Sequence, residues 1–169
     1  GALRAVAGQR RHTGNAAAGR LGPRRLLGPG IAGGGAGLWI TLLDGGVVVF
    51  SAREGVEAQS ETVWRQADKY KVPRIAFINK CDREGAEYFG TIDEIRKRLG
   101  SNPLPIQIPV GLGPSHAPNP FRGVIDLVEM KYLTFTGEKF GAEMHVAEIP
   151  EEHHAEAELY REQLLHELF

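Results

Sequence analysis

The sequence predicts an α/β fold in which parallel strands alternate with crossover helices, followed by a small α+β subdomain. Two short apolar runs rich in β-branched residues, Val47–Phe50 and Ile75–Ile78, are typical of strands buried on both faces. An amphipathic segment, Glu57–Tyr70, separates them and has the length of a crossover helix. After Val124 the pattern changes to short alternating runs, which indicate antiparallel strands.

The beginning of the chain has an unusual composition. Gly1–Gly37 consists mostly of Gly, Ala and Arg, and no Asp, Glu or Lys precedes Asp44. Such a stretch buries too little apolar surface to offset its ordering entropy, so we expect residues 1–37 to be disordered. Three interpretations remain open: an organelle transit peptide, a basic arm that contacts RNA phosphates, or a stretch that is not authentic coding sequence, such as a GC-rich gene read out of frame. We favour the third.

The middle of the chain is predicted to build the sheet. Val47–Phe50 is expected to be a central parallel strand, and the helix over 57–70 ends before Pro73. A second helix is predicted to end at Gly100, with an apolar face of Ile92, Ile95 and Leu99 and a solvated basic triplet of Arg96, Lys97 and Arg98. Leu104–Val110 alternates between prolines and is predicted to be a third, peripheral strand.

Residues 111–169 are predicted to form the subdomain. A Gly/Pro-rich loop over 111–120 precedes three antiparallel strands and a last helix; their predicted positions are Val124–Val128, Lys131–Phe135, Glu143–Ile149 and Glu151–Phe169. His153 and His154 are adjacent and would diverge by about 100° on that helix, so they cannot chelate one ion. We predict no metal site and no catalytic residue in this chain.

Net charge, apolar run length and cysteine content argue against several classes of protein. The formal net charge is −1, with 20 Lys plus Arg and 21 Asp plus Glu, so nothing global indicates DNA or a membrane as a partner. No apolar run approaches the ~20 residues of a membrane span. The one cysteine, Cys81, excludes an internal disulfide and suits a reducing compartment.

Three polar residues follow the Ile75–Ile78 strand at its carboxyl end, where open α/β sheets bind ligands. They are Asn79, Lys80 and Asp82. The Asp82 carboxylate can accept two parallel hydrogen bonds from the N1–H and exocyclic amine of guanine, a pair of donors that adenine does not offer. The Lys80 stem can lie along the flat base, and Asn79 can tie this loop to another or contact the base edge. Asn-Lys-x-Asp resembles the guanine-recognition motif of GTP-binding proteins.

From Leu43 onward, about three-quarters of the chain resembles translation elongation factor G, the ribosomal translocase. The similar stretches are Leu43–Phe50, Gly55–Ala67, Tyr70–Arg83 and Phe121–Leu127. The resemblance implies that residues 38–110 are part of a GTP-binding domain with a P-loop-type sheet, and that 111–169 belong to an insert subdomain within it. It also implies GTP or GDP as ligand, Mg²⁺ in the complete family member, and the ribosome with its stalk protein as partners.

The sequence departs from that family where the phosphates would bind. The family's phosphate loop ends in Gly-Lys-Thr, but no lysine precedes Lys69 here. The Asp-Thr-Pro-Gly-His switch, which supplies a magnesium contact and the histidine for the attacking water, is absent before Leu43. We therefore expect weak nucleotide binding, little or no hydrolysis, and marginal stability, because the Val47–Phe50 strand would expose one edge and an apolar face.

The sequence therefore favours a fragment of an elongation factor G-like GTPase that retains guanine recognition, in the cytoplasm or in an organelle such as the mitochondrion. Two alternatives stay open. The chain could be a non-catalytic module that contacts the ribosome or its stalk protein. It could also derive from another translational GTPase, such as release factor three or a tetracycline-resistance ribosome-protection protein.

Overall fold

The computed structural model describes residues 3–7, 45–136 and 143–168 of the chain. The predictions for 8–44, which include most of the segment expected to be disordered and the apolar run Leu38–Leu43, lie outside these residues. None of the helices in the described ranges is long and apolar enough to cross a membrane.

The first sheet has four parallel strands, which confirms the predicted α/β fold. In chain order they are β1 (Leu3–Ala7), β2 (Gly46–Ser51), β3 (Arg74–Asn79) and β4 (Pro103–Pro105). Their order across the sheet is β2-β3-β1-β4. Two helices connect them in the predicted positions: α1 (Ala58–Lys69) between β2 and β3, and α2 (Tyr88–Leu99) between β3 and β4. The basic triplet at the end of α2 is exposed, as expected.

The helices cover one face of this sheet. Phe50 on β2 and Ile78 on β3 are buried in one core with Trp64 of α1 and Ile95 of α2. The ring centroids of Phe50 and Trp64 lie 5.9 Å apart. Each helix buries one face in this core, so its apolar residues recur with the 3.6-residue period of a helix. That period is why both helices could be predicted from the sequence.

The opposite face of the sheet remains open in the described part of the chain. Side chains alternate between faces along a strand, so Val47 and Val49 point away from the core. They are 68% and 57% exposed, and Ile75 is exposed beside them on β3. This confirms the expected apolar face. Among the described strands β2 stands at one end of the order, which agrees with the exposed edge expected for Val47–Phe50. That this strand is central stays a prediction, because residues 8–44 lie outside the described ranges. An apolar run in the sequence does not reveal which strands lie beside it in the sheet.

Two further findings differ from the sequence predictions. Leu3–Ala7, within the stretch expected to be disordered, is a strand whose backbone pairs with both β3 and β4. Pairing there satisfies backbone groups of β3 that would otherwise lack partners, which composition alone cannot anticipate. The predicted single strand Leu104–Val110 is two strands, β4 and β5 (Gln107–Val110), in different sheets. Pro103, Pro105 and Pro109 lack backbone donors, which limits continuous pairing.

The second sheet is antiparallel, as predicted. It has the order β5-β6-β7-β8, in which β6 is Gly123–Asp126, β7 is Lys131–Thr136 and β8 is Glu143–Ala147. The last helix, α3 (Glu151–Leu168), follows it. Arg161 on α3 donates hydrogen bonds of 2.7 Å to the carbonyls of Leu127 and Val128. Ala157 and Leu164 of its predicted apolar face are buried, whereas Leu168 is 40% exposed.

Tyr88 connects helix α2 with the second sheet. It begins α2, its side chain is fully buried, and its hydroxyl donates a 2.6 Å hydrogen bond to the carbonyl of Gln107 on β5. Burial raises the pKa of Tyr88 well above its usual range, so the hydroxyl remains a donor at any physiological pH. The position of the second sheet relative to α2 therefore depends on this buried contact.

We expect Tyr88→Phe to lower the free energy of unfolding by about 1 kcal/mol, because the carbonyl of Gln107 would lose a buried donor. Thermal unfolding followed by circular dichroism should show a midpoint lowered by about 2–4 °C. Tyr70→Phe at the end of α1, where the tyrosine is half-buried, is the matched control. Equal effects of the two substitutions would contradict the assigned contact.

Candidate functional site

The predicted site lies where β2 and β3 end together. Ser51, the last residue of β2, pairs with Asn79, the last residue of β3. One residue later, the backbone N–H of Ala52 donates a 2.8 Å hydrogen bond to the carbonyl of Asn79. Because both strands run in the same direction, the turn after β2 and the loop after β3 meet at one edge of the sheet.

The loop after β3 is held in shape by its own hydrogen bonds. Lys80 has a φ of 66°, in the left-handed region that non-glycine residues rarely adopt. The Asn79 side-chain oxygen accepts the Lys80 backbone N–H at 2.8 Å, which supports this conformation. The N–H of Arg83 then closes the turn on the carbonyl of Lys80 at 3.1 Å. Cys81 is buried, and its carbonyl accepts the N–H of Gly113 at 2.8 Å.

One carboxylate oxygen of Asp82 is buried and has no hydrogen-bond partner among the described residues. Its side chain is 19% exposed, and Oδ1 is buried without a hydrogen bond from any residue that the structure describes. The nearest cation contact is a distant one, 3.9 Å from Oδ2 to Nε of the more exposed Arg83. A buried acceptor without a donor costs about 1–3 kcal/mol. A ligand that brings donors to this oxygen would recover that free energy.

Lys80 extends toward the turn after β2. Its Nζ donates a 2.9 Å hydrogen bond to Oε2 of Glu54, and the same oxygen accepts the Ser51 hydroxyl. The Ser51 Oγ also accepts the backbone N–H groups of Arg53 and Glu54, both at 3.3 Å. Gly55 completes the turn with a φ of 68°, and its N–H donates to the carbonyl of Ser51 at 2.8 Å. Glu54 is therefore fixed by a turn that its own neighbours build.

These contacts change the acidity of Glu54. The hydrogen bond from the Ser51 hydroxyl, followed by the hydrogen bond from Lys80, holds the pKa of Glu54 below its usual range. Both bonds favour the ionised carboxylate. The contribution of the pair to stability is thus present at neutral pH and is lost as the pH falls through the lowered pKa.

We expect Ser51→Ala to raise the pKa of Glu54 toward the value usual for glutamate, because the largest cause of its lowering is removed. An NMR titration of the Glu54 side chain would measure the pKa in both proteins. Ser60→Ala on α1 is the control and should leave it unchanged. An ordinary Glu54 pKa in the wild-type chain would contradict the described contacts.

The structure thus brings Asn79, Lys80 and Asp82 to one sheet edge, where the sequence analysis places them. Sequence reasoning missed Glu54 and Ser51, although a signal was available. Both are polar residues at or just after the end of a strand, and that strand is parallel to and adjacent to β3. The pairing of Glu54 with Lys80 depends on the turn geometry, which the sequence alone did not reveal.

Two clefts lie elsewhere: one of about 700 Å³ between α2, β4 and α3, and one of about 830 Å³ beside Trp64, Arg74 and Gly100. Neither is lined by Asn79, Lys80 or Asp82. The candidate site at the ends of β2 and β3 is therefore separate from both clefts.

Within residues 45–136 and 143–168, no three His, Cys, Asp or Glu side chains come together in a way that would hold a metal ion. His153 interacts with Glu152 and Glu156 on its own helix.

Comparisons with known proteins identify a family and a similar structure. Residues 37–163 match the family described as elongation factor Tu GTP binding domain. A crystal structure of a protein from Thermus thermophilus is similar, with 26% sequence identity and a TM-score of 0.63. The similarity covers 78% of this chain but 18% of that one, so the chain spans less than a fifth of that relative's length. Because the family match extends over most of the sequence, the chain belongs to the elongation factor Tu GTP-binding domain family.

Proposed function

We propose that this chain binds guanine nucleotides through the base, as a part of a translational GTPase. One observation carries the proposal. The Asp82 carboxylate lies at the carboxyl edge of a parallel sheet with Oδ1 buried and without a donor from the described residues. A polar group in that condition is well suited to a ligand that supplies the missing hydrogen bond.

Guanine supplies what Asp82 lacks. Its N1–H and exocyclic amine are two donors side by side, and a carboxylate accepts both. Adenine would leave the buried oxygen unpaired, and a site built for such donors rejects analogues without them far more strongly than shape alone could. Lys80 would contribute its methylene stem as a flat surface for the base. Asn79 supports the backbone of Lys80 through its side-chain oxygen.

We propose that the binding is weak and that this chain does not hydrolyse GTP. Phosphoryl transfer depends on groups that position and neutralise the phosphates. The 169 residues contain neither a Gly-Lys-Thr loop nor an Asp-Thr-Pro-Gly-His switch. Affinity should therefore come mainly from the base, and guanosine should bind almost as well as GTP.

Within the family, we propose elongation factor G as the nearest functional type, with the ribosome as the partner of the complete protein. The long similar stretches at Gly55–Ala67 and Tyr70–Arg83 support this assignment. Release factor three and the ribosome-protection proteins share the guanine motif and remain the alternatives. A ribosome-binding assay with the purified chain, in competition with each complete factor, would distinguish them.

A non-catalytic interaction module is the second candidate. It is favoured by the exposed apolar side chains of β7 and β8, which are Phe135, Met144 and Val146. An apolar group of this kind on a sheet surface is typical of protein contacts. Retention of ribosomal stalk protein by the immobilised chain would support this candidate, and loss of retention in Met144→Ser would locate the surface.

We expect Asp82→Asn to reverse base preference. An asparagine offers one acceptor and one donor, which match the N1–H and the 2-oxo group of xanthine but not the two donors of guanine. Equilibrium dialysis with GDP, XDP and ADP should show at least a tenfold loss of guanine preference and a gain for xanthine.

The control is Asp93→Asn, an exposed carboxylate on α2 that pairs with Arg96. It should leave all three affinities unchanged. Equal binding of GDP and ADP by the wild-type chain, or an unchanged preference in Asp82→Asn, would contradict the proposed function.

A further inference from the structure

Glu54 is not among the residues proposed to contact the base, but its carboxylate forms a hydrogen bond with one of them, Lys80. Its Oε2 accepts Lys80 Nζ at 2.9 Å. The Lys80 side chain is 28% exposed, and Glu54 is exposed, with 38% of its side chain accessible. The two residues are far apart in the sequence and come together because β2 and β3 end in register.

We propose that Glu54 is a positioning residue for guanine recognition, which acts by anchoring the Lys80 ammonium so that the lysine stem forms a fixed surface for the base beside Asp82. The inference rests on the proposed function. It assigns to Glu54 no contact with the nucleotide and no part in any reaction.

Three features distinguish this pair from an ordinary surface ion pair. First, the acceptor is held in place, because the same Glu54 oxygen accepts the Ser51 hydroxyl. Second, Ser51 Oγ accepts two backbone N–H groups of the turn that carries Glu54. Third, Lys80 starts from an uncommon backbone conformation, with a φ of 66°, that Asn79 supports. Both ends of the bridge are thus constrained before a ligand arrives.

The constraint matters because lysine is the more flexible partner. A lysine side chain has four rotatable bonds, and ordering it on binding a base lowers the affinity. An anchor that orders the stem beforehand removes part of that loss from the binding step. The pair is partly solvated, so we expect a modest effect, a threefold to tenfold difference in affinity. Preference between guanine and adenine should change little, since Asp82 determines it.

The test is a double-mutant cycle on the full chain with GDP as the probe. The variants are Glu54→Ala, Lys80→Ala and the double substitution, with Glu54→Gln as the conservative change. Glu57→Ala, an exposed glutamate at the start of α1, is the matched control. Tryptophan fluorescence, to which the buried Trp64 contributes together with Trp39, would verify that every variant is folded.

We expect Glu54→Ala to weaken GDP binding threefold to tenfold when Lys80 is present and not at all when it is absent. Glu54→Gln should recover part of the loss, and Glu57→Ala should bind like the wild type. NMR relaxation of the Lys80 ε-methylene, without nucleotide, should show greater motion in Glu54→Ala. Unchanged motion would overturn the inference.

Other outcomes are equally decisive. If Glu54→Ala weakens GDP binding equally with and without Lys80, Glu54 acts independently of Lys80. If Glu54→Ala binds GDP more tightly, Glu54 holds the lysine away from the base. Either result overturns the inference and leaves the proposed function intact. If the wild-type chain binds GDP no better than ADP, the proposed function fails and the inference fails with it.

Discussion

The parallel pairing of β2 with β3 is the constraint on which the site depends. Gly46–Ser51 lies in register with Arg74–Asn79, and the backbone contact from Ala52 to Asn79 extends the ladder by one step. The pairing places two loops, from distant parts of the sequence, at one sheet edge. Trp64 and Phe50 pack beneath it and keep α1 against the same strands. A slip of one residue would move every side chain of β3 to the other face and displace the site.

Backbone hydrogen bonds hold the loop in which the buried carboxylate oxygen of Asp82 lies without a described donor. The loop that carries Asp82 is closed by the contact from Arg83 to the Lys80 carbonyl, and the Gly113 N–H holds it from a second loop. These bonds oppose a rearrangement that would turn the carboxylate toward water. The cost of the unpaired oxygen, about 1–3 kcal/mol, is offset by the surrounding fold. A buried polar atom without a partner calls for an explanation, and here it coincides with the Asn-Lys-x-Asp motif of the sequence.

Much of this arrangement could be predicted, and the residues show why. The apolar stripe expected on the first helix, Val63, Trp64, Ala67 and Tyr70, and the polar group that follows Ile78 are local patterns with a direct physical meaning. Of that stripe, Val63 is 48% exposed in the structure. The position of β2 at one end of the described strands, the strand at Leu3–Ala7 and the division of 104–110 between two sheets all depend on non-local pairing. The contact between Glu54 and Lys80 was missed for the same reason, since it requires the register of two strands and the shape of a turn. Short-range sequence patterns identify individual helices and strands. Which strands lie side by side in a sheet is decided by tertiary packing.

The most direct measurement of the central claim is a titration of the isotope-labelled chain with GDP and with ADP, followed through its backbone amide resonances. The account predicts that GDP shifts the amides of Lys80 and Asp82, with smaller changes at Ser51 and Glu54, and that ADP leaves all four in place. Shifts confined to the cleft between α2 and α3, or identical shifts with both nucleotides, would contradict it.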